Sequence, residues 1–190
     1  MKKAVKNATD VDTANANMPI YTRAGDSGTT GLFGGKRISK ANCQIETYGS
    51  IDELTSYIGL VRVKLKNKND KDLLIQIQKD LYQIMSFLSG SKVDLLFLEN
   101  QVLIFEKTID EVEKKLPKLN KFIIPGGNEI SALFQILRVT CRKAERIMVD
   151  YYESNLTMKQ LNNVLIYLNR LSDLFFDLAR KYGKNNEVVL

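Results

Sequence analysis

No histidine occurs anywhere in the 190 residues, and that absence removes whole classes of chemistry. Ser-His and Cys-His nucleophile pairs, histidine proton shuttles and histidine-ligated zinc or iron are all excluded. Any reaction must run on other side chains or belong to the substrates. Cysteine is scarce as well: Cys43 and Cys141 are the only two, and without C-x-x-C spacing they indicate neither a metal knuckle nor a redox motif. Both read as reduced structural thiols of a cytoplasmic protein. Residues 1–18 lack an apolar signal region, contain no arginine and carry Asp10 and Asp12, which argues against secretion and against an organellar transit peptide. They read as a mobile tail ahead of one domain over residues 19–190. No run is long enough to span a membrane, so no membrane partner is expected. Neither G-x-x-x-x-G-K-[ST] nor G-x-G-x-x-G is present. The nearest approach, Gly31 to Lys36, is one residue short and is followed by Arg37.

What is present is an ordinary globular composition, 44% hydrophobic and 26% charged with a net charge of +6, long enough for one sizeable core. The modest positive excess suits a nucleotide as well as a nucleic acid. The chain is organised around residues 21–40, where Gly25, Gly28, Gly31, Gly34 and Gly35 free the backbone to turn its N–H groups toward one anion. Thr22, Ser27, Thr29 and Thr30 add hydroxyls, Arg23, Lys36, Arg37 and Lys40 add positive charge, and Asp26 is the one acid a phosphate-bound Mg²⁺ would want nearby. Composition alone leaves a flexible linker and a phosphate-binding loop both open. The helices downstream favour the loop.

Five helical segments follow, over about 49–66, 71–89, 98–116, 128–152 and 157–182, the last ending before Gly183. Ile51, Leu54, Ile58, Val61 and Leu65 in the first, and Leu74, Ile77, Leu81, Ile84 and Leu88 in the second, recur at three- and four-residue steps. No long alternating strand is present, so the expected fold is all-α: an antiparallel five-helix bundle of ferritin-like, up-down type with an N-terminal nucleotide-binding loop. In the fourth segment Leu133, Leu137, Thr140, Ala144, Ile147 and Tyr151 form the expected core stripe. Beside it Arg138, Arg142 and Glu145 share one narrow strip, flanked by Arg146. A solvated face with internal ion pairs is the plain reading of such a strip. In the fifth segment Leu161, Val164, Leu165, Leu168, Leu171, Phe175 and Leu178 form the stripe, and Asn169, Arg170, Ser172 and Asp173 cluster mid-helix, where asparagine and serine are poor helix formers and imply useful contacts. Asp52 and Glu53 read as carboxylates at the start of the first helix, favoured by its dipole. Gly59 implies close approach by another backbone. Phe122, before the Pro-Gly-Gly turn, reads as a plug for the end of the core, and Asn128 as the cap of the fourth helix.

Taken together, the pieces resemble the PduO-type ATP:cob(I)alamin adenosyltransferases. They are Tyr21-Thr-Arg-x-Gly-Asp-x-Gly, Tyr48-Gly-x-Ile-Asp-Glu-Leu54, Phe122-Ile-x-Pro-Gly-Gly127, Arg138-x-x-Cys-Arg-x-Ala-Glu-Arg146 and Leu168-Asn-Arg-Leu-Ser-Asp173, in the family's order and across nearly all the chain after residue 20. The resemblance implies a trimer of five-helix bundles that binds ATP, with Mg²⁺ on its phosphates, between neighbouring subunits. Cob(I)alamin would be the second substrate. Its Co(I) centre attacks the 5′ carbon of ATP and releases triphosphate, which needs no histidine because the nucleophile comes from the corrinoid. On the same resemblance Thr22, Arg23, Ala24, Gly25, Asp26, Thr30, Gly31 and Lys40 fall on ATP-binding positions. So do Arg142, Lys143, Ala144, Glu145, Arg146 and Asn169. Asp52 and Arg138 match a carboxylate–arginine pair across the subunit interface that keeps the corrinoid site assembled, and Phe122 matches the aromatic that crowds the lower face of the corrin ring. With Arg142 these form the expected catalytic set. A corrinoid reductase or an adenosylcobalamin-dependent enzyme is the implied protein partner.

Two departures stand out. Lys143 replaces the second arginine of an Arg-Arg pair, keeping charge and losing bidentate geometry. Gln135-Ile136 replaces Leu-His, a change expected to affect packing. Other classes are a nucleotide-sensing or scaffold bundle, which would tolerate loss of Asp52 and Phe122 although both are kept, and a nucleic-acid-binding bundle. Against the latter, lysines are spread among acids in every helix, with no aromatic-interleaved basic stripe.

Overall fold

Three asparagines set where helices begin. In the computed structural model, which describes residues 20–184 and 186–190, the side chains of Asn42, Asn67 and Asn128 accept backbone N–H groups from Gln44, Asp70 and Ser131 at 2.9, 3.0 and 3.0 Å, each satisfying a donor that helix geometry leaves orphaned. The expected tail over 1–18 lies outside the described residues. In chain order the elements are β1 (Thr29–Gly31), β2 (Arg37–Ser39), α1 (Cys43–Lys64), α2 (Lys68–Leu88), α3 (Phe97–Glu113), β3 (Ile123–Ile124), α4 (Glu129–Glu153), α5 (Gln160–Gly183) and β4 (Val188–Val189). The strands are hairpin-sized pieces, β1 with β2 and β3 with β4, both antiparallel. The five helices carry the fold, as expected.

Because α1 begins at Cys43, Asp52 and Glu53 sit in its middle and cannot act on its N-terminal dipole. Cross-helix contacts fix the directions. Lys143 of α4 meets Glu53 of α1 at 2.8 Å, and Lys64 near the end of α1 meets Glu129 at the start of α4 at 2.5 Å, so these two run antiparallel. Successive helices alternate up and down. The neighbours α3 and α5 are consequently parallel, with Arg170 on Glu106 at 3.0 Å and Asn163 on Glu99 at 3.1 Å.

The core is built from Ile51, Leu54, Ile58 and Val61 of α1, Leu74, Ile77, Leu81 and Ile84 of α2, and their partners on α3 to α5, all essentially inaccessible. In α4 the expected Leu137, Thr140, Ala144 and Tyr151 are buried, and the stripe widens by one residue to its other side. Phe134, Leu137, Cys141, Ala144 and Met148 are fully buried, whereas Leu133 and Ile147 are half-buried. Leu165 of α5 is also only half-buried, while Tyr167 is sealed in the core, its hydroxyl donating to Asp80 of α2 at 3.1 Å. Of the two cysteines only Cys141 is a core thiol; its Sγ donates to the Leu168 carbonyl at 3.2 Å and burial pushes its pKa up, whereas Cys43 is exposed. Gly59 faces a side chain: an added Cβ would meet Gln78 Nε2 at 3.4 Å. No described helix is long and apolar enough to cross a membrane.

At the far end of the bundle Asp70 accepts from Lys181 Nζ at 2.7 Å and from the Tyr182 hydroxyl, tying the start of α2 to the end of α5. Gly183 is the last residue of α5 and continues it, contrary to the expected stop. Its smallness answers to packing, since a Cβ there would lie 2.6 Å from Ser131 Oγ of α4. Beyond it β4 pairs with β3, Val189 opposite Ile123 and Val188 opposite Ile124. Phe122, just before β3, is 83% exposed, so it does not plug the core.

Candidate functional site

The loop ahead of α1 is held in one shape by its own bonds. Arg23 adopts φ of 59°, the left-handed region that most side chains avoid. Asp26 N–H donates to its carbonyl, and Gly28 N–H to the Gly25 carbonyl, each at 3.2 Å. Arg37 staples the turn from the opposite strand: its Nη2 donates to the Ala24 carbonyl, to the Thr29 carbonyl at 3.2 Å and to Thr29 Oγ1 at 2.7 Å. Arg37 therefore braces the loop, a role its charge alone did not reveal. Lys40 lies across Gly25, where an added Cβ would come within 3.2 Å of its Nζ. The hairpin turn docks on the end of α2 through Phe33 N–H on the Ser89 carbonyl at 3.0 Å. Between loop and bundle lies a cavity of about 350 Å³, lined by Thr30, Gly31, Lys40, Ile45, Tyr48 and Ser89. Tyr48 forms its aromatic wall, its hydroxyl pKa raised by burial and then by Asp52 and Tyr82.

A second cavity, about 480 Å³, opens between α3, α4 and α5, with Arg138 and Arg142 on one side and Glu106, Asp110, Arg170 and Asp173 among the groups facing them. Arg138 Nε donates to Gln135 Oε1 at 2.7 Å, so Gln135, expected to matter only for packing, orients a site arginine. Burial and then the neighbouring Arg142 pull the Arg138 pKa down. Arg146 Nη1 donates to the Arg142 carbonyl at 3.0 Å, and Asn169 Nδ2 to Glu145 Oε1 at 2.9 Å. Asn169 is thus engaged across α4 and α5, and Ser172 folds back on its carbonyl at 2.9 Å. Asp177, which the sequence motifs do not single out, lines the same cavity as Asp173. Burial, then Glu113, raises its carboxyl from 3.8 to about 6 against the pull of Arg180. Its position in an otherwise apolar stripe next to Leu178 was the available signal.

Other expected residues point elsewhere. Lys143 turns to Glu53 on α1. Ala144 is fully buried, which takes its side chain away from any surface ligand. Asp52 is exposed on α1 and makes no described ion pair with Arg138. The two cavities share no residue, and among the described residues no hydrogen bond joins the loop to the α4 arginines. Nor do three metal-binding side chains converge anywhere among them. One chain therefore presents two separate half-sites: a loop of backbone donors with Lys40, suited to anionic oxygens, and a groove of mixed charge in which Arg138 and Arg142 stand beside Glu106, Asp110 and Asp173.

A family model described as cobalamin adenosyltransferase matches residues 20–182. A corrinoid adenosyltransferase of Bacillus subtilis (strain 168) is 40% identical over 169 residues, 86% of each chain. A cobalamin adenosyltransferase of Cupriavidus metallidurans is 39% identical over 162 residues, covering 85% of this chain and 86% of its own. Among solved structures, a phenylalanine-to-alanine variant of the PduO-type ATP:corrinoid adenosyltransferase from Lactobacillus reuteri, complexed with cobalamin and ATP, superposes with a TM-score of 0.81 at 27% identity, over 90% of this chain and 98% of that one.

Proposed function

The chain belongs to the cobalamin adenosyltransferase family, and from that premise we infer how its two half-sites divide the work. It is an ATP:corrinoid adenosyltransferase: the Co(I) electron pair of cob(I)alamin attacks the 5′ carbon of ATP, the carbon–oxygen bond breaks, and adenosylcobalamin and inorganic triphosphate result. The loop holds the triphosphate through Thr22, Arg23, Gly25, Thr30, Gly31 and Lys40, with Asp26 placed toward the Mg²⁺ that the phosphates carry. Arg142, Arg146, Glu145 and Asn169 hold the nucleotide from the helix side. Charge growing on the leaving triphosphate is met by loop amides, Lys40 and the two arginines, all fixed beforehand. Alignment of cobalt with the 5′ carbon supplies the proximity term. Phe122 crowds the lower face of the corrin and excludes the axial base, which eases reduction of Co(II) to Co(I). The described residues build no cage for Mg²⁺, and the ion enters on the phosphates of the nucleotide.

The observation that carries this reading is the separation of the half-sites within one chain. A second copy brings its groove to the first copy's loop, and Asp52 of one copy pairs with Arg138 of the next. The face that would meet it is on hand: α1 exposes Asp52, Ser56, Leu60 and Val63 at helical spacing, and α4 exposes Val139, Arg142, Arg146 and Val149. A homotrimer in the cytoplasm, supplied by a corrinoid reductase or serving an adenosylcobalamin-dependent enzyme, is the assembly we propose.

The test is an anaerobic assay with ATP, Mg²⁺ and chemically reduced cob(I)alamin, following the corrin spectrum and triphosphate release. Arg142→Ala is expected to lower kcat by about 10²–10³, the usual loss for one preorganised charge-stabilising donor. Unchanged kcat would remove Arg142 from the leaving-group site. Phe122→Ala is expected to slow turnover from cob(II)alamin plus reductant far more than it weakens ATP binding; equal losses would sink its assignment.

A further inference from the structure

Phe122 belongs to the connection between α3 and α4 and takes no part in the core. What holds it is the chain beyond α5. The Phe122 carbonyl accepts the Leu190 N–H at 2.9 Å, and Ile123 and Ile124 pair with Val189 and Val188. At the other end of the turn Gly127, at φ +91°, lets the tail backbone in, since a Cβ there would lie 3.3 Å from the Asn186 carbonyl oxygen. Arg180 ties the arrangement to the bundle. Only 4% exposed, it donates from Nη2 to the Pro117 carbonyl at 2.8 Å, five residues ahead of Phe122, and from Nε to Glu187 Oε1 at 3.3 Å, in the tail. One nearly buried guanidinium thus grips both the segment that carries the aromatic and the strand that backs it. Burying such a group is costly unless it is satisfied, so loosening either grip disturbs the other.

We propose that Arg180 and residues Asn186–Leu190 form a clasp that positions Phe122, so that groups touching neither ATP nor the reacting atoms set how well the lower corrin face is crowded. The proposal rests on the reading of Phe122 given above. It makes Arg180, Glu187 and the tail backbone positioning groups for the reduction of Co(II) to Co(I), the electron coming from the external reductant. They leave adenosyl transfer from ready-made Co(I) alone.

Leu190→Pro removes one N–H from an exposed residue, and Leu190→Ala keeps it; Arg180→Lys and Glu187→Gln loosen the other grip with little change in volume. For each full-length variant the readouts are turnover from cob(II)alamin plus reductant, turnover from chemically prepared cob(I)alamin, ATP affinity, and hydrogen exchange of the segment 118–127. Leu190→Pro is expected to speed exchange in that segment and slow the cob(II)alamin reaction at least fivefold, with the cob(I)alamin rate and ATP affinity within twofold and Leu190→Ala close to wild type. Arg180→Lys and Glu187→Gln follow the same pattern more weakly. Equal loss with both cobalt states, or a Leu190→Pro protein indistinguishable from Leu190→Ala, overturns the clasp. Phe122→Ala separates the two readings. If it slows the cob(II)alamin reaction while the clasp variants do not, the clasp fails alone; if Phe122→Ala is itself silent, the role of Phe122 fails and rate control by the clasp fails with it.

Discussion

Asp177 offers a quantitative test of the groove between α3, α4 and α5. As a residue Asp177 is 4% exposed, and it lines the open cavity. Burial, with Glu113 and Asp173 nearby and Arg180 opposing them, raises its pKa from 3.8 to about 6. A folded-state pKa above the unfolded one means that the native state binds the proton more tightly. The stabilisation is fully present below about pH 4 and is lost as the pH rises through about 6. Two units correspond to about 3 kcal/mol, and the open mouth of the cavity reduces this through solvent screening to about 1–2 kcal/mol. Asp177→Asn removes the desolvated charge at nearly constant volume. The variant should match the parent near pH 4 and exceed it by about 1–2 kcal/mol above pH 6, or roughly 3–6 °C in Tm for a chain of this length. Thermal and urea unfolding at half-unit steps from pH 4 to 8 would measure it. A gap between the two proteins that does not change with pH, or a variant less stable at pH 8, would mean that the buried Asp177 charge is not what costs stability.

Gly183→Ala should destabilise by about 1–3 kcal/mol through overpacking, because its Cβ would meet Ser131 Oγ at 2.6 Å; Ser131→Gly should recover much of that loss in a double-mutant cycle by urea unfolding. Arg37→Ala frees the turn that its guanidinium braces and should weaken ATP binding about tenfold, the equivalent of 1.4 kcal/mol, by titration calorimetry; unchanged affinity would show that the loop is fixed by other means. Lys143→Arg should leave ATP affinity within twofold, since that side chain is directed at Glu53. A marked gain would place it on the nucleotide.

Much of the architecture was legible in the chain because long helices advertise themselves by spacing. The spacing of α1 and α2 specifies their buried stripes residue by residue, and Asn128 marks the cap of α4. In α4, Leu133 and Ile147 have the spacing and hydrophobicity of core residues, yet both are only half-buried. The structure keeps Leu137, Thr140, Ala144 and Tyr151 and adds Phe134, Cys141 and Met148 at steps of seven, with Phe134 on Phe175 and Cys141 on the Leu168 carbonyl of α5. The start of α1 was missed because Gln44 to Gly49 lacks an apolar rhythm, although Asn42 with Glu46 in the first turn marked it. At the site, residue types suggested by the family motifs were found on exposed helix faces. The roles of Arg37, Gln135 and Asp177 needed three-dimensional neighbours to appear. Likewise the β3–β4 pairing joins two-residue strands more than sixty positions apart, a contact that no local pattern encodes.

The central position of α5 has a consequence for how the protein is made. It packs on α4 and α3, reaches α2 through Tyr167 and Asp80, and closes the bundle through Lys181 and Asp70, yet it is the last of the five helices to leave the ribosome. Until it arrives, Phe105 and Phe134 lack Tyr167 and Phe175, the rings of α5 they pack against. The first four helices therefore emerge as an open half-shell with apolar surface that chaperones can bind. Assembly of the core waits for the final fifth of the chain, and a ribosome stalled before α5 would leave a product prone to aggregation and degradation.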